Sequence, residues 1–483
     1  MATTVILRRD VSYSYQTGIF VSGDGTRGVP YRDSLAGKTT AVVGLAKSGV
    51  AAARLLRRLG ARVLASDSSP LEALTAEARA LDREGCTLWA GGHPDAAFVG
   101  ADLVVVSPGV PLELPALAAV RARGVPIIGE LELAWRVMEA DVIAITGTNG
   151  KTTTTTLTGE LLRTQVRPVL VGGNIGTPLA EHALEFPGDG IVVAEVSSFQ
   201  LDAVDRFRPR VGVVLNITPD HLDRHGTFER YVEAKARMFA NQTVTDCAVL
   251  NADDPVTAGL AGRTRGRAIW FSRLTPLPHG VFLYDGWIVA KLNGTTERIC
   301  PVGEITLRGQ HNVENVLAAT ACALWTGMSP SAIRRGIAAF RGVAHRIERV
   351  HDDRGIVYYN DSKGTNVDST IKALVSFTEP VVLIAGGKGK GQDFAPLAEA
   401  ARGRVRRAIL IGQDRDQIGR ALEATGVPSE NAESMDEAVR RARDAARVGD
   451  VVLLSPACAS FDMFRNYEHR GDVFKAVVRA LVG

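Results

Sequence analysis

The run Gly147-Thr148-Asn149-Gly150-Lys151-Thr152 brings together residue types that can hold a polyphosphate. Gly147 and Gly150 let backbone N–H groups turn onto phosphate oxygens. Lys151 carries a fixed positive charge toward the β/γ-phosphates, and the Thr152 hydroxyl can complete a Mg²⁺ sphere. Thr148, Asn149 and Thr153 complete the candidate nucleotide loop. Such a loop needs a buried strand before it and a helix after it, whose positive dipole end faces the anion. The apolar residues 143–145 suit the strand, and the chain from Lys151 onward suits the helix. A polar turn is the competing reading.

Two more apolar runs aim chemistry at the same edge. Residues 191–194 deliver Glu195, and residues 211–215 lead into Thr218-Pro219-Asp220-His221. Ligands of parallel α/β sheets bind beyond the carboxyl ends of the strands, so Glu195 and His221 are expected beside Thr152. Glu195 reads as a Mg²⁺ ligand, with a turn or capping carboxylate as the alternative. His221 taken alone reads as a hydrogen-bonded histidine near the core. Tyr231 and Lys235 share one face of a helical pattern, where a lysine is ordinarily a solvated charge. Asn312 lies in the polar start of another helix, suited to a nucleotide base or to a simple cap.

Strand and helix patterns alternate along the whole chain, which predicts an α/β fold in three domains. These are a Rossmann-like N-terminal domain at 36–137, a central P-loop ATPase domain with a parallel sheet at 138–341, and a Rossmann-like C-terminal domain at 342–483. Residues 1–35 read as a flexible extension without the pattern of a secretory signal. The first domain opens as strand, glycine turn, helix and strand, ending at Asp67 with Ser68 and Ser69. Ala46 stands where a dinucleotide fingerprint has its middle glycine, which disfavours NAD-type binding. Asp67 can accept from a nucleoside, or cap the next turn. In the last domain the strand ends carry Asp361, Lys363, Thr365, Lys390 and Ser460, chemistry suited to carboxylates and phosphates.

With 483 residues the chain exceeds what one core usually supports. A net charge of +3 over that length makes no case for nucleic acid as a partner. No apolar run approaches membrane-spanning length. The five cysteines are scattered and lack any CxxC spacing, which points to a reduced, cytoplasmic setting and away from thiolate metal sites.

Several short motifs in order resemble the Mur ligase family of peptidoglycan synthesis, from about residue 36 onward. They are Gly147-Thr-Asn-Gly-Lys-Thr-Thr, Gly173-Asn-Ile-Gly, Glu195-Val-Ser-Ser-Phe-Gln-Leu, Asp220-His-Leu-Asp-Arg-His, His311-Asn, His345-Arg346, Asn360-Asp-Ser-Lys-Gly-Thr-Asn and Ser455-Pro-Ala-Cys-Ala-Ser-Phe-Asp. The closest resemblance is to the members that add D-glutamate to UDP-N-acetylmuramoyl-L-alanine. It implies that ATP phosphorylates the substrate carboxylate and that the D-glutamate amine attacks the acyl phosphate.

The resemblance also implies roles. Thr152 and Glu195 hold one Mg²⁺, and His221 with Lys235 serves a second, Lys235 being a carbamate formed with CO₂. Lys151 acts on the phosphates, Asn312 and Arg346 reach ATP, and Asp361 binds its ribose. Lys363, Thr365, Lys390, Ser460, Phe461 and Tyr467 hold D-glutamate, while Lys47, Ser48, Asp67, Ser68, Ser69 and Asn174 bind the UDP-sugar. A monomer is implied, whose last domain closes over the nucleotide. The nearest competitor is a third-residue ligase, but the Asp-Asn-Pro-Arg run expected of one using diaminopimelate does not occur. Folylpolyglutamate synthases lack the first domain. A nucleotide switch has no need of the Asp361 and Ser460 clusters.

Overall fold

The computed structural model describes residues 27–165, 167–389 and 391–482. The chain is α/β, with three sheets in two compact units. The first unit runs to Glu304 and includes Glu314–Ala338; the second comprises Ile305–Val313 and Ala339–Gly483. Segments 36–137 and 138–304 therefore share one unit, and residues 305–313, expected in the central domain, fall in the other.

The first sheet has five parallel strands, ordered Thr87–Ala90, Arg62–Asp67, Thr39–Val43, Leu103–Val106 and Ile127–Gly129. Its central strands are near-continuous Val, Leu and Ala because helices cover both faces. Helix Lys47–Arg58 follows the first strand and buries Leu55 and Leu56. A Cβ on Gly49 would run into the Gly44 carbonyl, so these two glycines serve a close strand–helix approach.

Part of the supposed extension is ordered. Helix Val29–Leu35 buries Tyr31 and Leu35, spaced four apart on one face, and Pro30 occupies its first turn. Arg27 donates from Nε to the Trp135 carbonyl at 3.1 Å and lies over the Trp135 ring. Residues 27–35 thus pack on the first unit, and residues 1–26 lie outside the described residues.

The central sheet has nine strands. Seven run parallel, in the spatial order Gly280–Tyr284, Arg267–Ser272, Cys247–Asn251, Val211–Val214, Asp141–Thr146, Ile191–Glu195 and Val169–Gly173. Beyond Arg267–Ser272, the strand Gly280–Tyr284 still pairs in parallel and then continues as an antiparallel ribbon through Trp287–Leu292 and Thr295–Pro301. The sheet is thus predominantly parallel, as expected, with an antiparallel ribbon at this one edge. Both tight turns are built for it: Asp285-Gly286 has φ of 48 and 70, and Asn293-Gly294 has 51 and 79. Two consecutive positive φ values make type I′ turns, whose twist matches the strands they join.

The third sheet, in the second unit, is ordered Glu348–Asp353, Ile356–Asn360, Val451–Leu454, Val381–Gly386, Val405–Ile411 and Ser429–Asn431. Only its first strand is antiparallel.

Two buried glutamates on helix Glu130–Val137 join the elements of the first unit. Glu132 accepts from the amides of Asp205, Arg206 and Phe207 at 3.0, 3.0 and 2.8 Å and from Arg136 Nε at 2.6 Å. Glu130 is less well served. Its Oε1 accepts from the Ala180 amide at 2.8 Å, while Oε2 has no partner among the described residues. Burial pushes the Glu130 carboxyl up to about 7, more than the Ala180 and Leu179 amides pull it down. The folded chain thus keeps a proton that the unfolded chain releases near 4.5. This group's stabilisation is complete below the unfolded pKa and disappears as pH rises through the folded one. Glu130→Gln, a mimic of the protonated form, is expected to be more stable than the parent by on the order of 2 kcal/mol at mildly alkaline pH, and equal to it in acid. Urea unfolding at the two pH values checks this; identical stabilities in alkali contradict it.

Candidate active site

Strand Asp141–Thr146 ends in the loop Gly147–Gly150, and helix Lys151–Leu162 follows at once. Gly150 is left-handed at φ +83, and a Cβ there would strike Asn315 Oδ1, so glycine is required twice over. The loop is braced from the segment after strand Val211–Val214. Asn149 N donates to Asn216 Oδ1 at 2.9 Å, and the Thr218 amide donates to Thr148 Oγ1 at 3.0 Å. Lys151 Nζ curls over the loop and donates to the carbonyls of Gly147 and Thr148 at 2.9 and 2.8 Å.

Thr152 and Glu195 meet as expected. Thr152 Oγ1 donates to Glu195 Oε2 at 2.8 Å, and Glu195 is buried at the end of its strand. Asn174, expected at the sugar substrate, donates from Nδ2 to Glu195 Oε1 at 2.8 Å. It thereby fixes the carboxylate, leaving Oε2 for Thr152. Thr153, Thr154, Thr155 and Thr158 face inward and are buried, and Thr154 Oγ1 donates to Asn315 Oδ1 at 3.2 Å.

Lys235 is not a surface lysine. It is 1% exposed, and its Nζ donates to the Gly147 carbonyl at 3.0 Å and lies 3.4 Å from Thr146 Oγ1. Burial holds its pKa well below the usual lysine range, the Lys151 charge adding to the effect and Asp220 opposing it. The amine is accordingly far easier to deprotonate than an exposed one. Tyr231, one turn earlier, puts its ring 4.5 Å from Nζ and its hydroxyl 3.1 Å from Thr148 Oγ1. His221 is half-exposed, in the left-handed region at φ 52, with its ring centroid 4.9 Å from that of Phe199.

Does this edge suit Mg²⁺? Thr152 Oγ1 and Glu195 Oε2 stand side by side as hard oxygen donors, which fits. Among the described residues no group of three or more His, Cys, Asp and Glu converges. Most of an octahedral sphere would then be phosphate oxygens and water, the common Mg²⁺ arrangement.

At the first sheet's edge, Lys47 and Ser68 are exposed and Ser48 and Ser69 half-buried. Asp67 turns onto the backbone, its Oδ2 accepting from Leu45 N at 2.6 Å and Oδ1 from Ser69 N at 2.8 Å. The turn-capping alternative is therefore realised for this carboxylate.

In the second unit Asp361 is buried, with Oδ2 accepting from Ser455 Oγ at 2.7 Å and Oδ1 from Ile347 N at 3.2 Å. Burial pushes its carboxyl up to about 7, with the Ser455 bond and the Arg346 charge acting against the rise. Lys363 Nζ lies 3.9 Å from the Tyr467 ring centroid. The amide of Thr365 donates to the Lys363 carbonyl at 2.8 Å. Ser460 is buried beside the exposed Phe461, Asn312 Nδ2 donates to the Arg308 carbonyl at 2.6 Å, and Arg346 Nε is buried without a partner among the described residues. Lys390 lies outside the described residues.

Sequence reasoning missed two side chains. Arg470, fully buried, donates from Nε to Ser362 Oγ at 2.9 Å, from Nη2 to the Ser362 carbonyl at 2.8 Å and from Nη1 to the Cys458 carbonyl at 3.0 Å. It ties together the two strand-end loops that carry Lys363 and Ser460. Its position one turn after Tyr467 on helix Tyr467–Val482 was the available signal. His225, buried beside Phe199 and Tyr231, is the second.

Comparison with known proteins agrees along the chain. Residues 38–129 match the Mur ligase MurD-like N-terminal domain, 145–323 the Mur ligase middle domain, and 345–458 the Mur ligase glutamate ligase domain. A UDP-N-acetylmuramoylalanine--D-glutamate ligase from Pelotomaculum thermopropionicum is 50% identical over 92% of this chain and 98% of its own. One of the same name from Acidobacterium capsulatum is 50% identical over 92% and 97%. Among solved structures, the UDP-N-acetylmuramate-alanine ligase MurC of Thermotoga maritima matches in fold, with a TM-score of 0.58 at 22% identity over 92% of this chain and 99% of that one. From the loop after Thr146 to the buried clamp at Arg470, with half its residues shared with such relatives, this chain belongs to the Mur ligase family.

Proposed function

We propose that this chain couples ATP hydrolysis to amide bond formation between UDP-N-acetylmuramoyl-L-alanine and D-glutamate, in the synthesis of peptidoglycan precursors. The observation that carries the reading is the convergence of Lys151, the Thr152–Glu195 pair and the buried Lys235 amine at one end of the central sheet. Specificity for D-glutamate is supported by the 50% identity to ligases named for that amino acid.

The substrate carboxylate attacks the γ-phosphorus and ADP leaves, giving an acyl phosphate. The D-glutamate amine then attacks the acyl carbon, a proton is released, and phosphate departs from the tetrahedral intermediate. Neither step asks the protein for covalent help, so positioning and charge neutralisation dominate. Lys151, with Gly147, Thr148, Asn149, Gly150 and Thr153, cradles the triphosphate. Mg²⁺ held by Thr152 and Glu195 would neutralise charge developing on the phosphoryl oxygens.

His221 and Lys235 serve a second such ion in this reading. An ammonium repels Mg²⁺, but an unprotonated amine adds to CO₂ and loses a proton, leaving an anionic carbamate whose oxygens are suitable ligands. The lowered pKa of Lys235 supports the step. Asn312, Arg346 and Asp361 are assigned to the nucleoside. Lys363, Thr365, Lys390, Ser460, Phe461 and Tyr467 are assigned to D-glutamate, whose two carboxylates suit paired lysines. Lys47, Ser48, Asp67, Ser68, Ser69 and Asn174 are assigned to the UDP-sugar, with Asn174 also steadying Glu195. Segments 36–137, 138–341 and 342–483 are the corresponding functional domains of a monomeric, cytoplasmic enzyme. No helix among the described residues is long and apolar enough to cross a membrane, and the five cysteines are free and buried.

Phosphate release from ATP with UDP-N-acetylmuramoyl-L-alanine tests the assignment. D-Glutamate is expected to drive turnover, whereas L-glutamate, L-lysine and diaminopimelate are not. Release indifferent to D-glutamate would sink the specificity and leave the ligase class standing.

A further inference from the structure

His225 has no part in the roles assigned above, yet it is among the most constrained polar side chains of the first unit. It ends the short helix Leu222–His225 and is 6% exposed. Its Nε2 lies 2.9 Å from Ser198 Oγ, and its Nδ1 faces Asp202 Oδ2 at 3.5 Å. The carboxylate favours the proton on Nδ1, which leaves Nε2 to accept from the Ser198 hydroxyl and fixes the ring about its own axis. Both partners belong to helix Ser198–Asp202, whose entry is itself locked by a capping box between Ser197 and Gln200.

The ring so held touches two others. It stacks on Phe199 with centroids 5.4 Å apart and an interplanar angle of 22°, and it meets Tyr231 at 5.2 Å. Each of these leads to a residue of the proposed chemistry. Phe199 packs against His221 at 4.9 Å, while Tyr231 lies 4.5 Å from Lys235 Nζ and bonds Thr148 of the phosphate loop. A continuous row of rings, His221, Phe199, His225 and Tyr231, therefore runs to the Lys235 amine.

We infer that His225 is a positioning residue: anchored by Ser198 and Asp202, it sets the two aromatic rings that hold His221 and Lys235 at their working separation. Ser198, His225 and Asp202 have the residue types of a hydrolytic triad, but Ser198 is 3% exposed, so the hydroxyl is spent on the ring. The inference rests on the roles proposed for His221 and Lys235, which the test separates from it. A metal pair or a modified lysine needs its ligands within a fraction of an ångström, and small displacements far from the reacting atoms are costly.

The test compares His225→Ala, His225→Phe, Ser198→Ala and Lys235→Ala in the full-length enzyme. His225→Ala is expected to lower kcat on the order of tenfold with the KM values for UDP-N-acetylmuramoyl-L-alanine and D-glutamate unchanged. It should also raise the Mg²⁺ concentration needed for half-maximal rate. Independently of turnover, the NMR signal of carbamate formed from isotopically labelled bicarbonate should weaken. His225→Phe keeps a ring in the row but lacks the bonds to Ser198 and Asp202, so it should recover part of the rate. Ser198→Ala, which removes a single hydroxyl, stands in should His225→Ala fail to fold, and should reproduce the Mg²⁺ shift in smaller measure. A His225→Ala enzyme, or in its place a Ser198→Ala enzyme, with parental kcat, Mg²⁺ dependence and carbamate signal overturns the inference. So does a His225→Phe enzyme no better than the alanine variant. A fully active Lys235→Ala enzyme would instead bring down the reading on which the inference stands.

Discussion

Lys235→Ala is expected to lose about a thousandfold in kcat, the scale of removing a preorganised charge from a transition state, while still folding. The side chain is buried against the Gly147 carbonyl and the Tyr231 ring, in a setting that penalises a positive charge. Its burial is unfavourable as an ammonium and favours chemistry that turns nitrogen into an anion's anchor. Short carboxylates such as formate or acetate should therefore restore part of the rate by placing an anionic oxygen where the carbamate would be. Steady-state phosphate release with and without added carboxylate reads both effects. An alanine variant with parental turnover would end the carbamate reading.

Arg470→Ala is expected to cost about 3 kcal/mol or more of stability in the second unit, because it strands the buried carbonyls of Ser362 and Cys458 and leaves a void. Thermal unfolding should fall on the order of 10 °C. Lysine is no substitute, since one ammonium cannot reach three acceptors spread over two loops as a planar fork does. Where the variant still folds, KM for D-glutamate should rise more than KM for ATP, since Lys363 and Ser460 lie on the two loops that the guanidinium joins. Unchanged melting would mean that the loops are held elsewhere.

Much of this was legible in the residues. The alternation of apolar runs and helices yields the α/β class and the strands that position Thr152 and Glu195, because strand ends dictate where side chains converge. The shared face of Tyr231 and Lys235 is plain from their spacing, but their burial is not, since a lysine in a helix carries no mark of what packs over it. Asp67 and Asn174 show the same limit. Both were placed at the right sheet edges, and only tertiary contacts reveal that Asp67 caps its own turn and Asn174 holds Glu195. The antiparallel ribbon at 280–301 is a different case. Its Asp-Gly and Asn-Gly turns stand in the sequence as hairpin signals that the sequence reading did not use. Arg470 and His225 are long-range: their partners lie across loops that only the fold brings together.

The helix after the phosphate loop carries five threonines in succession, residues 152–156, several of them buried. β-Branched residues are poor helix formers, and five in a row cost on the order of 3 kcal/mol against alanine. That helix cannot stand by its own propensity and persists only while docked on the central sheet. Its amides should then exchange with solvent through opening of the sheet itself and not by local fraying. On that expectation the loop Gly147–Gly150 and the core of the central sheet open as one cooperative unit, so damage deep in the sheet should be felt first at the proposed phosphate-binding loop.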